Sequence, residues 1–285
     1  MSVPLLRRRA GEVVANRPLG VYRQLSVVLP ALAVAARPGQ FVIAPPGRPD
    51  RVLPRTWWVA GERTEAGFGS TLELVVPEGD GDAPALPEPG DLLELTGPIG
   101  RGFGMPTQPV TAIVATEGAA GAVGRWLAER LRGGGCSVHL VSCAVDPEQH
   151  VDLVQARRVA DGVVLTRPEE AGSALRRLAG STAASVLYAV GPVPLSATVA
   201  RVAAEAGVVS QVTGVDIGGP GICGHGLCGG CDVPLARAGR QATGVRACAE
   251  GPVLRGDLVD WEAAMGGAAT MGATATGVAT RTGGP

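Results

Sequence analysis

Four cysteines near the C-terminus constrain the fold of this chain more than any other feature. Three lie within nine residues, Cys223-Gly-His-Gly-Leu-Cys228-Gly-Gly-Cys231, and Cys248 follows after 16 more residues. This is the plant-type ligand spacing for a [2Fe–2S] cluster, in which one tight loop supplies three thiolates and a later segment supplies the fourth. We therefore predict that all four cysteines are iron ligands.

The glycines between the cysteines support this interpretation. Gly224, Gly226, Gly229 and Gly230 permit a positive φ, which lets backbone N–H groups turn inward toward the sulfur atoms of a cluster. A structural zinc site is an alternative, but zinc sites usually combine two separate short pairs of cysteines. A Rieske site would need a second histidine besides His225 after the later cysteine, and Ala-Glu-Gly stands there instead.

Charge and composition exclude several functional classes. The chain has a formal net charge of -1 and no run of basic residues, so it lacks the electrostatic surface that nucleic acids or anionic membranes require. None of its 25 basic residues is a lysine, which excludes P-loop, Schiff-base and lysine-base chemistry. The 285 residues fit two or three compact units, because domains usually contain about 100–200 residues.

The N-terminal residues and the longest apolar stretch predict a cytoplasmic protein. Arg7, Arg8 and Arg9 are followed by Ala-Gly-Glu rather than by the apolar region of a secretory signal. The apolar stretch at 26–36 is far shorter than the roughly 20 residues that span a bilayer. In a reducing compartment we expect cysteines to be ligands or core residues, and we assign Cys136 and Cys143, which flank a predicted strand, to the core.

The first 108 residues predict an antiparallel barrel or sandwich. Short β-type runs alternate there with proline- and glycine-rich turns, and no long amphipathic helix interrupts them. The predicted strands cover residues 21–29, 39–44, 55–59, 71–76 and 92–95.

Residues 109–212 change to an alternation of aliphatic strands and Ala/Arg-rich helices, which predicts a small parallel sheet with helical crossovers. The cysteine-rich segment follows at 213–262, and the Gly/Ala/Thr-rich tail at 263–285 is predicted to be disordered. The predicted strands are 110–116, 137–145, 162–166 and 185–190, and the predicted helices are 121–131, 174–178 and 194–206.

Four short motifs accompany the cysteine loop: Pro38-Gly-Gln-Phe-Val42, Gly97-Pro-Ile-Gly-Arg-Gly-Phe103, Tyr188-Ala-Val-Gly-Pro192 and Cys248-Ala-Glu-Gly-Pro252. Together with the loop, they resemble the ferredoxin–NADP reductase superfamily, and within it the electron-transfer subunits of NAD-linked dihydroorotate dehydrogenase.

This resemblance implies a β-barrel plus α/β architecture. A flavin-type antiparallel barrel at 1–108 would hold FAD, and a nucleotide-binding-like parallel-sheet domain at 109–212 would bind NAD(H). A ferredoxin-like segment at 213–262 would carry the cluster. It also implies a partner, an FMN-containing catalytic dehydrogenase subunit of pyrimidine biosynthesis, assembled with this chain as a heterotetramer.

The flavin motifs of that superfamily match two altered stretches of this chain. Its Arg-Pro-x-Ser motif matches Arg55-Thr-Trp-Trp58, in which Arg55 could grip the FAD pyrophosphate and the tryptophans could stack on the flavin or cap the barrel. Its Gly-x-Gly-Thr motif matches Gly79-Asp-Gly-Asp82, which also suits a solvated turn. The predicted FAD-binding residues are Arg55, Thr56, Trp57, Trp58, Gly79, Asp80, Gly81 and Asp82.

The nicotinamide motifs depart further from that pattern. Glu117 stands in the phosphate-facing turn of Thr116-Glu-Gly-Ala-Ala-Gly-Ala-Val-Gly124, and Val190-Gly-Pro192 lacks the usual cysteine. The stretch 166–170 also lacks the expected acidic-glycine-serine turn. These changes are unfavourable for NAD(H).

Two hypotheses follow. In the first, the chain is an oxidoreductase subunit that moves electrons through FAD and the cluster and depends on a partner for activity. In the second, it is a degenerate paralogue that keeps only the cluster and serves as a structural and electron-relay partner without NAD(H) or FAD. The sequence assigns no catalytic residue in either case.

Overall fold

The N-terminal part of the chain forms a closed antiparallel barrel of six strands in a computed structural model that describes residues 8–46, 53–65, 69–78, 86–218, 222–236 and 244–266. The strands close in the order β1-β2-β5-β4-β3-β6, which confirms the predicted antiparallel barrel. A short helix, α1 (Pro30–Ala33), packs against β5. The strands are β1 (Arg8–Leu19), β2 (Tyr22–Val28), β3 (Phe41–Ala44), β4 (Arg55–Glu65), β5 (Gly69–Pro77) and β6 (Leu92–Ile99).

The barrel interior is filled by every second residue of its strands. On β5, Leu72, Leu74 and Val76 are fully buried in one apolar cluster, as the period-two alternation of a strand requires. Strand β1 was not predicted, because its inward positions include Gly11 and Ala15, whose small side chains give little hydrophobic signal beside Arg, Glu and Asn neighbours.

Residues 111–213 form five parallel strands in the order β11-β10-β7-β8-β9, as predicted for an α/β unit. Strand β11 and helix α3 were not predicted, since both are short and their apolar positions are few. Among the described residues, none of the helices is long and apolar enough to cross a membrane. The elements are β7 (Thr111–Glu117), α2 (Ala120–Gly133), β8 (Ser137–Cys143), α3 (Leu153–Val159), β9 (Gly162–Thr166), α4 (Ala171–Thr182), β10 (Val186–Val190), α5 (Val193–Ala206) and β11 (Val209–Thr213).

The cysteine-rich segment is built from short elements: β12 (Asp232–Pro234), β13 (Gly244–Arg246), α6 (Ala247–Glu250) and β14 (Val253–Arg255). Strands β12 and β13 pair with each other, whereas β14 pairs antiparallel with β11 and becomes the sixth strand of the second sheet. Part of the predicted disordered tail is instead helical, because residues 261–266 form a final helix, and residues 267–285 lie outside the described residues.

Three of the sequence motifs meet at one junction between the barrel and the cysteine-rich segment. The Phe103 backbone N–H donates to the Pro38 carbonyl at 2.9 Å, and Gln40 Nε2 donates to the Gly100 carbonyl at 2.7 Å. Gly100 has φ +80°, and a Cβ placed there would lie 2.3 Å from the Gly251 carbonyl oxygen. This close approach explains why glycine stands at residue 100.

We expect Gly100→Ala to lower the free energy of unfolding by about 2–4 kcal/mol, from left-handed backbone strain and from overpacking against Gly251. It should also lower iron content, because Gly251 follows Cys248 by three residues. The matched control is Gly90→Ala: Gly90 has φ +99°, but a Cβ there would meet nothing within 4 Å. Urea denaturation and iron analysis measure both effects, and equal losses in the two variants would contradict the proposed contact.

Candidate iron–sulfur centre and adjoining cavity

The loop at 223–231 wraps its backbone around the Cys223 sulfur. The N–H groups of His225, Leu227 and Cys228 donate to Cys223 Sγ at 3.3, 3.4 and 3.4 Å. Burial alone would raise the pKa of the Cys223 thiol, but these three donors together with the Cys228 thiol lower it to about 7. The loop therefore favours a thiolate at Cys223, which is the form that binds iron.

Glycine conformations permit this wrapping. Gly224, Gly226 and Gly229 have φ values of +70°, +74° and +74°, as predicted, whereas Gly230 does not have a positive φ. The Gly226 N–H donates to Cys248 Sγ at 3.1 Å, and the Gly230 N–H donates to Cys228 Sγ at 3.4 Å. Donors from one loop thus reach the sulfur of the distant cysteine as well.

The four sulfur atoms are arranged as two pairs. Cys231 Sγ and Cys248 Sγ are 3.1 Å apart, and Cys223 and Cys228 each donate a backbone N–H to the other's sulfur, at 3.3 and 3.4 Å. Within the described ranges, no three His, Cys, Asp or Glu side chains surround a point that could hold a single metal ion. Two pairs of thiols fit a cluster of two irons, each held by two cysteines.

The fourth cysteine reaches the loop through the β12–β13 ladder. Asp232 pairs with Arg246 in that ladder, and the Ala247 N–H donates to the Cys231 carbonyl at 2.9 Å, which sets Cys248 beside Cys231. Burial, followed by the neighbouring Cys231 sulfur, raises the pKa of the Cys248 thiol to about 12. The Arg246 side chain also donates to the Gly226 carbonyl, which ties the ladder to the loop.

The cysteine loop packs directly against the barrel. A Cβ at Gly224 would lie 2.4 Å from Ile43 Cδ1 and 3.4 Å from Phe41 Cε2, so the loop backbone contacts β3 with no room for a side chain. Cys223, Cys231 and Cys248 are buried, whereas Cys228 is exposed. The candidate centre therefore has one open side.

The predicted flavin-binding residues on β4 separate onto two faces. Trp57 points into the barrel core. The guanidinium of the partly buried Arg55 lies 4.6 Å from the Trp57 ring centroid, and Arg55 Nε donates to the Pro45 carbonyl at 2.9 Å. Burial lowers the pKa of Arg55. Thr56 Oγ1 accepts the Gly218 N–H at 3.2 Å. The predicted residues Gly79, Asp80, Gly81 and Asp82 lie outside the described residues.

Trp58 points away from the barrel core into a cavity of about 250 Å³ between the barrel and the second sheet. The cavity lies at the carboxyl ends of β7 and β10, the edge at which open α/β sheets bind ligands. Trp58 itself is only 3% exposed. The lining residues are Trp58, Glu117, Ala119, Ala120, Gly191, Pro192, Asp216 and Ile217.

Two carboxylates flank this cavity. Glu117 was singled out in the sequence, whereas Asp216 was missed, because it follows the unpredicted strand β11. Asp216 Oδ1 accepts the Val193 N–H at 2.9 Å, at the first residue of α5. Burial raises the pKa of Asp216, and burial together with the charge of Asp216 raises the pKa of Glu117.

Comparisons with known proteins agree with this geometry. Residues 222–260 match the family described as the iron–sulfur cluster binding domain of dihydroorotate dehydrogenase B. The electron transfer subunit of dihydroorotate dehydrogenase B (NAD(+)) from Desulforamulus reducens is 29% identical over 241 residues, covering 82% of this chain and 90% of that protein. A probable subunit of the same kind from Methanopyrus kandleri is 27% identical over 254 residues, covering 85% and 88%.

Solved structures support the fold. A chain of an NADH-dependent reduced ferredoxin–NADP oxidoreductase aligns with a TM-score of 0.71 at 21% identity, covering 91% of this chain and 93% of that one. The ferredoxin reductase of carbazole 1,9a-dioxygenase aligns with a TM-score of 0.56 at 21% identity, covering 71% and 64%. The barrel followed by a parallel sheet is thus a fold that this chain shares with these two reductases.

Proposed function

We propose that this chain, a divergent relative of the dihydroorotate dehydrogenase B electron transfer subunits, carries electrons to or from a catalytic dehydrogenase through a [2Fe–2S] cluster and FAD. One observation carries the proposal: four cysteines form two sulfur pairs that receive six backbone N–H donors among the described residues. The match of residues 222–260 to the iron–sulfur domain family supports it.

The chain's own groups would stabilise added charge at the cluster. A [2Fe–2S] cluster accepts one electron, and N–H donors to the ligand sulfurs favour the more negative, reduced form. We assign Cys223 and Cys228 to one iron and Cys231 and Cys248 to the other, in agreement with the two sulfur pairs. Cys228, on the exposed side, gives the shortest route to a docked protein.

Two residues on opposite faces of β4 support FAD binding. Arg55 would supply a cation for the pyrophosphate, and Trp58, which lines the cavity together with Pro192, would supply an aromatic wall for a flat ring. FAD, when bound, exchanges electrons either in pairs or singly, and so connects two-electron chemistry with a one-electron cluster. Trp57 would support Arg55 from within the barrel rather than contact the ring.

The partner would be an FMN-containing dehydrogenase subunit that takes part in pyrimidine biosynthesis, assembled with this chain as a heterotetramer in the cytoplasm. The names of the two relatives, both electron transfer subunits of dihydroorotate dehydrogenase B, support a dehydrogenase partner. We further propose functional units at 1–108, 109–212 and 213–262, although β14 of the last unit completes the sheet of the second.

The test is anaerobic purification followed by iron, acid-labile sulfide and released-flavin analysis, with absorption and electron paramagnetic resonance spectra before and after reduction by dithionite. We expect two irons and two sulfides per chain, one released FAD, and a paramagnetic signal only after reduction. Stoichiometric zinc without iron would overturn the proposal.

A second candidate is a relay that keeps the cluster and binds no FAD. It is favoured by the burial of Trp58, which is 3% exposed at the edge of the cavity and so presents little of its indole surface to a flavin ring. In that case the same measurements would give full iron and sulfide content without released flavin.

A further inference from the structure

Two helices begin at the cavity, and one of their N-termini is already occupied by a carboxylate. Helix α5 starts at Val193, whose N–H donates to Asp216 Oδ1 at 2.9 Å. Exposed N–H groups at a helix N-terminus attract anions, and the phosphates of dinucleotides commonly bind there. On this chain, Asp216 fills that position.

The second carboxylate stands at the entry to α2. Glu117 is the last residue of β7, and α2 begins at Ala120. A Cβ at Gly191 would lie 3.3 Å from Glu117 Cβ, so Glu117 contacts the carboxyl end of the neighbouring strand β10. Glu117 therefore lies three residues before the start of α2 and contacts Gly191, two residues before the start of α5.

No cation of the described residues offsets these charges. The influences on Glu117 are burial and the negative charge of Asp216, and those on Asp216 are burial and the Val193 N–H. A phosphate entering the cavity would meet two like charges in a partly buried site, where repulsion is stronger than in bulk water.

We propose that Glu117 and Asp216 are specificity-determining residues that reject the phosphates of NADH and NADPH, so that pyridine dinucleotides do not serve as electron donors at this cavity. This inference rests on the proposed electron-transfer function and deepens it, because it leaves flavin or iron–sulfur proteins as the exchange partners of the chain. The remaining walls, Trp58, Ala120 and Pro192, accept an uncharged ring.

The test is calorimetric titration of the purified full-length protein with NADH and with ADP-ribose. The variants are Glu117→Gln, Asp216→Asn and the double variant. Asparagine retains the oxygen that accepts the Val193 N–H, so the start of α5 is preserved. We expect millimolar or weaker binding by the native protein and about tenfold tighter binding for each carboxylate removed.

A matched control removes two exposed carboxylates elsewhere, Glu205→Gln with Asp257→Asn, whose side chains pair with Arg176 and Arg255 on the surface. We expect no change in dinucleotide affinity from this control. Micromolar binding of NADH by the native protein, or unchanged or weaker binding by the double variant, would overturn the inference.

The iron content and dithionite reduction of the same preparations keep this test separate from the test of the proposed function. A protein with an intact reducible cluster that binds NADH tightly contradicts only the role of the two carboxylates. A protein without a cluster contradicts the proposed function, whichever ligand its cavity binds.

Discussion

We expect Cys248→Ala to abolish the visible absorption and the paramagnetic signal of the cluster, and Cys136→Ala to leave both intact. Cys248 Sγ lies 3.1 Å from Cys231 Sγ and accepts the Gly226 N–H at 3.1 Å, so its removal takes one ligand from an iron and leaves a loop donor without its acceptor. Alanine is the sharper choice here, because a serine oxygen can still bind iron.

Cys136→Ala is a suitable control because this substitution also removes a buried cysteine sulfur, at a site away from the cysteine loop. Cys136 lies between α2 and β8, and its N–H donates to the Leu131 carbonyl at 3.1 Å. We expect the cavity created by Cys136→Ala to lower the free energy of unfolding by about 1–2 kcal/mol, and the iron content to stay unchanged. Iron retention in Cys248→Ala, or iron loss in Cys136→Ala, would show that the ligands are misassigned.

The second large effect is expected from Gly224→Ala, which should lower the free energy of unfolding by about 2–5 kcal/mol and impair cluster assembly. The backbone at φ +70° disfavours any side chain, and the new methyl would lie 2.4 Å from Ile43 Cδ1. The control is Gly226→Ala. It shares a φ of +74°, but the nearest atom to its Cβ would be Arg246 Cδ at 4.0 Å.

A double-mutant cycle with Ile43→Ala separates the two causes. Shortening Ile43 removes the atoms that the new methyl would meet, so we expect a favourable coupling of about 1–3 kcal/mol between the substitutions. The backbone strain of Gly224→Ala should persist in the double variant. Urea denaturation measures all four proteins, and zero coupling would mean that the loop does not contact β3 as described.

The features that the sequence predicted well depend on local patterns. The spacing of the cysteines indicates a cluster because its ligands are close in sequence, and barrel strands such as β5 are visible because their apolar residues alternate. The unusual position of Glu117 could be recognised for the same reason, because a glutamate there interrupts a local glycine-rich pattern.

The features that it missed depend on contacts between distant residues. Nothing local marks Asp216, which acquires its role only when β11 places it at the start of α5. Strand β14 has three residues and exists because β11 offers it an edge. Strand alternation places the two adjacent tryptophans on opposite faces of β4, but only the position of β4 between the barrel core and the second sheet decides which face each one meets.

The pairing of β14 with β11 restricts how this protein can be rearranged by recombination or by engineering. The cysteine-rich segment cannot be exchanged as an independent domain, because its strand β14 covers the β11 edge of a sheet that otherwise belongs to the preceding unit. A chimera that replaced the segment with an unrelated cluster domain would uncover β11, and an uncovered edge invites pairing between chains. We therefore expect the cysteine-rich segment and the parallel sheet to be kept together when this chain is recombined.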